Sequence, residues 1–369
     1  MNSIQAKIHK PTLLLDKSKA LQNIEKMAAK ARKSNVRFRP HFKTHQSAGI
    51  GEWFRECGVA AITVSSVEMA LYFAQYGWKD ITIAFPANIL EIENINRLAS
   101  SIKLHLLVES KETVAFLTQN LRDAVDVWIK IDVGYHRTGI HWHHFDEIAA
   151  LAHSIKQLKR MTFKGLLTHS GHAYRARFPA EVTAIYLESV QRLREIKKRL
   201  VAQGFPDTRI SIGDTPSCSI VENFSDVDEI RPGNFVFYDV TQLTIGSCQE
   251  ENIAVAVACP VVAKHLERNE IVIYGGAVHL SKEFLVDKNG KKIFGYVTLL
   301  NENGWSPLIE NTYISALSQE HGIIKTDSGF FEKINIGDVL LILPVHSCLT
   351  VNLSKQYLTL DGKTITTLP

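Results

Sequence analysis

The chain has 369 residues, 45% of them hydrophobic, and a formal net charge of +4. That length and composition suit two packed domains, one larger than the other. Near-balanced charge without a long basic block excludes nucleic-acid binding as the expected role, and no apolar run is long enough to span a bilayer.

Residues 12–15 read as a short apolar strand. Asp16 can cap a helix from Lys17 to about Arg32, with Leu21, Ile24, Met27, Ala28 and Ala31 on one face. Strand-like runs then recur at 36–42, 59–64, 81–85, 104–108, 125–131, 162–167, 209–212 and 228–231. Helical patterns fill the gaps, most clearly over 180–200, where Val182, Tyr186, Val190, Leu193, Ile196 and Leu200 recur at helical spacing. Eight strands separated by helices favour a parallel (β/α)8 barrel, with an open doubly wound sheet as the alternative. In a barrel the functional residues gather at the C-terminal strand ends. Lys43 and the stretches 132–137, 169–174 and 213–217 all fall there.

After about residue 245 helical periodicity fades. Short strands are expected at 253–262, 271–274, 293–299, 339–343 and 357–360. Turns such as Asp287-Lys288-Asn289-Gly290 and Asn301-Glu302-Asn303-Gly304 separate them. The expected organisation is a barrel over residues 11–245 and a β-rich domain over 246–369, which residues 1–10 join. The cysteines (Cys57, Cys218, Cys248, Cys259 and Cys348) are scattered and odd in number, as reduced thiols are. Residues 1–10 have no apolar core of the kind a secretory signal carries, so a cytoplasmic location is expected.

Four stretches carry chemistry. In Arg39-Pro40-His41-Phe42-Lys43-Thr44-His45, a lysine at a strand end is surrounded by groups that offer an electropositive setting for a Schiff-base amine. A solvated loop lysine is the bland reading, and the better one for an arbitrary lysine. In Ser211-Ile212-Gly213-Asp214-Thr215-Pro216-Ser217, a strand ends in a glycine turn before a helix start. Free N–H groups there would hold a phosphate, and a plain turn capped by Asp214 or Thr215 is equally compatible. Arg137, between Gly134 and Gly139, can face an anionic ligand atom or form a surface salt bridge. His346 and Cys348 follow a strand at 339–343. In extended chain they would point to one side, offering nitrogen and sulfur to zinc, with water, substrate or another residue completing the shell. A core cysteine beside a loop histidine is the alternative.

Together these motifs resemble those of the fold-type III pyridoxal phosphate enzymes, specifically the D-serine dehydratase and D-threonine aldolase group. The resemblance spans nearly the whole chain. It includes residues 39–45, 64–68, 132–139, 165–172, 213–217, 231–234, 317–322 and 346–348. It implies an alanine-racemase-like barrel followed by a β-domain, in a homodimer. It implies that Lys43 carries pyridoxal 5'-phosphate, that Gly213, Asp214, Thr215 and Tyr238 lie near the phosphate, and that Arg137 approaches the ring hydroxyl. His169, His172 and Tyr174 would line the ring or substrate pocket, with His172 and Tyr174 joining Lys43 in catalysis. Glu320 and His321 would reach the site or form a structural turn. His346 and Cys348 would hold zinc or manganese. The implied activity is elimination from a D-3-hydroxy amino acid to a 2-oxo acid and ammonia. Cys348 favours this branch, because the aldolases tend to carry Asp there. Retro-aldol cleavage and racemisation are the alternatives. Two departures bear on substrate: Tyr135-His136 before Arg137 is more racemase-like, and Tyr274-Gly275-Gly276-Ala277-Val278-His279 lacks the acidic residue usual in relatives. A cofactor-carrying homeostasis protein on the same barrel would leave residues 246–369 unexplained. A pure scaffold would leave the lysine, phosphate and metal motifs unexplained together.

Overall fold

The structure is a computed structural model, and it describes residues 4–302 and 304–369. It divides into two compact units. One holds residues 25–43 and 51–233; the other holds 4–24, 44–50 and 234–369.

The first unit is a barrel of eight parallel strands: β1 (Arg37–Phe38), β2 (Ile62–Val64), β3 (Asp80–Pro86), β4 (Lys103–Val108), β5 (Val125–Asp132), β6 (Met161–Leu167), β7 (Arg209–Ile212) and β8 (Glu229–Ile230). Each pairs with its sequence neighbour from β2 to β8, and β8 pairs with β1. A bridge between His41, just past β1, and Thr63 of β2 joins the remaining edge. Helices Val67–Gln75, Ile92–Ala99, Lys111–Asn120, Phe145–Lys156 and Pro179–Ala202 alternate with the strands. Ser66 and Ser110 accept the backbone N–H groups of Met69 and Thr113, which satisfies first-turn donors that a helix leaves unpaired. The helices cover the strands, so β2 and the last six residues of β5 are buried throughout. Their sequences are near-continuous apolar runs, not alternations.

Charges inside the barrel tie strands together. Arg39, with no exposed surface, donates from Nε to Glu229 (2.7 Å) and from Nη1 to Asp80 (2.6 Å). Asp80 also accepts from His105 Nε2 (3.0 Å), whose Nδ1 accepts from Trp128 Nε1 (3.3 Å). On the other side Ser211 Oγ donates to Glu229 (2.7 Å) and accepts from Arg231 Nε (2.7 Å). One connected network thus spans β3, β4, β5, β7 and β8 and the residues after β1.

The second unit is built on a nine-stranded sheet in the order Glu270–Tyr274, His321–Lys325, Tyr313–Leu317, Gly295–Thr298, Val339–Pro344, Val255–His265, Thr12–Leu15, Gln356–Thr359 and Thr364–Thr366. Glu270–Tyr274 also pairs with Val255–His265, which closes the first six strands on themselves. The five strands expected from the sequence are present, and the hairpin Tyr313–Leu317/His321–Lys325 adds two more. The segment 317–322, read as a site motif, is the turn of that hairpin. The sequence boundary at 245 shifts accordingly. Thr12–Leu15 is not a barrel element, because Leu13, Leu14 and Leu15 are fully or almost fully buried and pair antiparallel with Val257, Ala256 and Val255. Residues 234–245 also belong to the second unit. The turn at 287–290 is fixed by Asp287, whose Oδ1 accepts from the N–H groups of Asn289 (2.8 Å) and Lys291 (2.9 Å). In the turn at 301–304, Asn303 lies outside the described residues.

The ion-pair network predicts how stability varies. Burial alone would raise the carboxyl pKa values of Asp80 and Glu229. The His105 hydrogen bond and Arg39 at Asp80, and Arg39 at Glu229, reverse this and hold both below their ordinary range. Depressed folded-state values give stability that is present above the unfolded carboxylate pKa of about 4 and lost as pH falls further. Urea unfolding between pH 7 and pH 3 should show this loss, and Asp80→Asn should flatten its slope. Arg39→Met should cost roughly 3–5 kcal/mol at pH 7, because it strands two carboxylates. A cost under about 1 kcal/mol would count against the network as a structural tie.

Candidate active site

The site is best built from β1 outward. Phe42 is fully buried, with ring centroids 4.9 Å from Phe54, 4.9 Å from Phe73 and 5.0 Å from Trp78. This aromatic anchor fixes the backbone immediately before Lys43, and the Lys43 N–H donates to His41 Nδ1 (3.3 Å). The basic neighbours expected to surround Lys43 do not all do so. Arg39 turns into the barrel, where Glu229 and Asp80 neutralise it. His45 is fully buried in the second unit, and burial pushes its pKa down to about 3, so it is neutral.

The loop after β5 is folded by Asp132. Its Oδ1 accepts the N–H groups of Gly134 (2.9 Å), Tyr135 (2.9 Å) and His136 (3.0 Å). Burial works the other way, but these N–H groups hold the carboxyl below its usual range. The loop presents Arg137, whose guanidinium lies 5.1 Å from the Tyr135 ring centroid. Arg137 forms no ion pair among the described residues, so the surface salt bridge considered from the sequence is not made.

Tyr135 organises the next strand end. Its ring packs edge-on to His169 (5.9 Å) and stacks on His172 (6.3 Å), and His169 lies 6.0 Å from Tyr174. Residue 171 has to be glycine, since a Cβ there would stand 2.3 Å from the Tyr135 ring. His169 Nδ1 donates to the Gly213 carbonyl. Burial, with the Lys43 ammonium behind it, holds its pKa well below the usual imidazole value. The ring is therefore neutral, with Nε2 as its unprotonated nitrogen.

The turn after β7 departs from the sequence reading of free N–H groups. Asp214 caps the helix Thr215–Ile220 by accepting the Ser217 N–H (2.7 Å), and the Thr215 N–H donates to Tyr174 Oη (3.1 Å). This is the alternative in which Asp214 is the cap. Burial raises the Asp214 pKa to about 6. A Cβ at Gly213 would meet Arg231 Cβ at 2.8 Å, so glycine is what admits Arg231 beneath the turn.

Two cations here had no role assigned from the sequence, although Arg231 opens the segment 231–234 noted there. Arg231 is buried; burial lowers its pKa to about 10, and it stays charged at neutral pH. Lys130 on β5 is only 5% exposed. Burial, followed by the charges of Arg231 and Arg137, pushes its pKa down to about 7. The sequence did hold a signal: Lys130 interrupts an apolar run that the strand buries on both faces. Lys43, His169, His172, Tyr174, Arg137, Gly213, Asp214 and Thr215 thus belong to one unit. In it Lys43, Lys130 and Arg137 act electrostatically on His169. That surplus of positive charge fits a phosphorylated, anionic cofactor.

The remaining expected residues lie in the second unit. Tyr238 holds a left-handed backbone (φ 50°), which a non-glycine residue adopts only at a cost, and its N–H donates to Asn234 O (2.8 Å). Asp239 follows it and accepts from Asn234 Nδ2 (2.6 Å) and the Ser347 N–H (3.0 Å). Cys348 Sγ lies 3.2 Å from Thr44 Oγ1 and 3.8 Å from Asn234 Nδ2. The extended geometry expected at 346–348 is absent. The strand ends at Pro344, His346 is the N-cap, and Cys348 sits in the first turn of helix Ser347–Ser354. Among the described residues, no group of three or more His, Cys, Asp or Glu side chains is arranged to hold a metal. His346 and Cys348 remain a pair with the nitrogen and sulfur chemistry that zinc accepts.

Residues 15–240 match the alanine racemase N-terminal domain family, and residues 254–360 match a serine dehydratase domain family. The D-serine dehydratase of Dictyostelium discoideum is 28% identical, over 95% of this chain and 93% of its own. The D-threo-3-hydroxyaspartate dehydratase of Delftia sp. (strain HT23) is 27% identical, over 92% of this chain and 91% of its own. Its solved structure has a TM-score of 0.89 at 26% identity over 98% of both chains, and a variant solved in its metal-free form has a TM-score of 0.90 at 25% identity over the same shares. The D-threonine aldolase of Arthrobacter sp. is 25% identical, over 94% of this chain and 88% of its own. The chain belongs to the alanine racemase N-terminal domain family, within the fold-type III group that also holds D-serine dehydratase and D-threonine aldolase.

Proposed function

We propose that the protein is a pyridoxal phosphate- and metal-dependent lyase that eliminates water from a D-3-hydroxy amino acid, giving a 2-oxo acid and ammonia. The observation that carries this reading is the joint placement of Lys43, neutral His169 and the Gly213–Thr215 turn in one barrel unit, with the positive charges of Lys130 and Arg137 acting on His169. Relatives named as dehydratases, matched over nearly the whole chain, support elimination. Cys348 supports it over aldol cleavage, the second reading.

Lys43 would hold the cofactor through Nζ, with Gly213, Thr215 and Tyr238 toward the phosphate and Arg137 toward the ring hydroxyl. Asp214, as the helix cap, shapes that turn near the phosphate. Bound pyridoxal phosphate supplies an electron sink conjugated to the substrate Cα. Lys43 Nζ is the base that takes the Cα proton. His169 offers a neutral face and an unprotonated Nε2, and so adds no competing cation. Tyr174 Oη accepts the Thr215 N–H, and His172 would line the same wall. His346 and Cys348 would hold zinc or manganese, which supplies a Lewis acid for the departing β-hydroxyl. A homodimer in the cytoplasm completes the proposal. In support, none of the five cysteines forms a disulfide, and among the described residues no helix is long and apolar enough to cross a membrane.

Three outcomes are expected. Lys43→Ala should abolish the visible absorbance of the lysine-bound cofactor; a variant that keeps it would refute the assignment. Chelation should stop elimination and leave that absorbance largely intact, whereas full activity without metal would remove His346 and Cys348 from the chemistry. NMR of metal-loaded protein with D-threonine should show 2-oxobutyrate. Glycine with acetaldehyde would establish the aldolase instead, and a Cα epimer alone a racemase.

A further inference from the structure

His346 and Cys348, the proposed metal pair, sit at an unusual helix start. His346 is the N-cap of helix Ser347–Ser354, a position that Ser, Thr, Asp or Asn usually fills, and its side chain accepts no capping hydrogen bond. The cap comes from elsewhere in the second unit. Asp239 Oδ2 accepts from the Ser347 N–H (3.0 Å) and from the Ser347 hydroxyl (3.4 Å). On the other side of His346, the Val345 carbonyl accepts from the Thr241 hydroxyl (2.7 Å) and the Thr241 N–H (3.3 Å). Asp239 and Thr241 thus hold the backbone on both flanks of His346, and the imidazole is spared the capping task.

The same carboxylate oxygen reaches toward Cys348 through Asn234. Asn234 is buried, and its Nδ2 donates to Asp239 Oδ2 (2.6 Å) and to Ser347 Oγ (2.8 Å), with Cys348 Sγ 3.8 Å away. Its Oδ1 is buried with no hydrogen-bond partner, so the nitrogen side alone orients the amide. Turning the amide over would set two acceptors, Oδ1 and the Asp239 carboxylate, against each other. Fully buried Thr44 places Oγ1 3.2 Å from the same sulfur. Asp239 also has a local task, since its Oδ1 caps helix Val240–Ile245 by accepting the Gln242 N–H (3.0 Å). That cap needs one oxygen only. The other oxygen joins the residue between the two ligands to the amide beside the sulfur.

We propose that Asp239 is a positioning residue for the metal: its Oδ2 sets the backbone between His346 and Cys348 and keeps the N–H side of Asn234 toward the Cys348 sulfur. The inference rests on the metal part of the functional reading above, and it goes further by naming what holds the two ligands in register. Groups hydrogen-bonded behind a ligand fix its direction and tune its bond to the metal. These bonds lie within the protein and need no metal to form, so the pair is arranged before a cation arrives and little ordering is left for binding to offset.

The test uses the pyridoxal phosphate-loaded protein after chelation. It is titrated with zinc against a chromophoric chelator, and with cobalt(II), whose charge-transfer band reports a sulfur ligand. Asp239→Asn keeps Oδ1 for the Gln242 cap and replaces Oδ2 by an amine that cannot accept the Ser347 N–H. Zinc affinity should fall by about tenfold or more, and the sulfur-to-cobalt band should shift. The visible absorbance of the lysine-bound cofactor should stay. A purely structural cap would lower the melting temperature with and without metal alike and leave affinity and band in place; that result overturns the inference. If Asp239→Asn does not fold, Ser347→Ala carries the test, because it removes only the hydroxyl shared by Asp239 and Asn234. It should weaken zinc by roughly threefold to tenfold, and equal affinity overturns the inference. Cys348→Ala separates this result from the underlying reading. Wild type that takes up no metal, or takes it up equally after Cys348→Ala, overturns the metal reading and the inference with it. Wild type that needs Cys348 but not Asp239 overturns the positioning role alone.

Discussion

Arg39 carries a full charge into the barrel with no exposed surface, and the geometry of the catalytic end depends on what it meets there. Its two carboxylate partners come from β3 and β8. The network continues through Ser211 to Arg231 under the Gly213 turn. Lys43 stands four residues after Arg39, and Phe42 between them is locked among three aromatic rings. The lysine is therefore anchored at one end by electrostatics and at the other by packing. An isolated buried ion pair seldom adds net stability. A connected set with several hydrogen bonds per carboxylate fixes which strand ends meet, and that is what a preorganised site needs.

A second balance operates above the network. The barrel end gathers several positive groups, Lys43, Lys130 and Arg137, around an imidazole that it keeps uncharged. In water such crowding would be screened; in a buried site it is a standing preference for anions. The helix-terminal N–H groups that a phosphate would use are partly committed, to Asp214 and to Tyr174. Attraction for an anion in this unit is therefore carried more by side-chain cations than by the helix terminus.

Much of this was legible in the sequence for identifiable reasons. Most of the barrel strands lie in stretches rich in Val, Ile and Leu between helices, and period and spacing separate them. Lys43, Arg137 and the Gly213 turn stand out because each sits just past an apolar run. The burial partners were not legible. Nothing in residues 39–45 says that Arg39 is fully buried in an ion-pair network while Lys43 is only half-buried, because that depends on Asp80 and Glu229 arriving from distant strands. The extended reading of 346–348 failed because a helix starts at Ser347, with Asp239 accepting its N–H; a contact over that separation leaves no local trace. Residues 12–15 looked like the opening of the barrel because chain order suggested it, and a strand's partner cannot be read from its own composition.

That last strand has a consequence for how the chain is made. Thr12–Leu15 is synthesised before the barrel unit, whereas its antiparallel partner Val255–His265 and its parallel partner Gln356–Thr359 follow that unit in the chain. The barrel unit, by contrast, is complete by residue 233. During synthesis an apolar strand edge, Leu13-Leu14-Leu15, therefore waits unpaired while the barrel unit can already close. Chains cut short before residue 255 would keep that edge permanently open. The hazard that this strand edge poses to the nascent chain thus precedes the barrel, while its remedy is encoded after it.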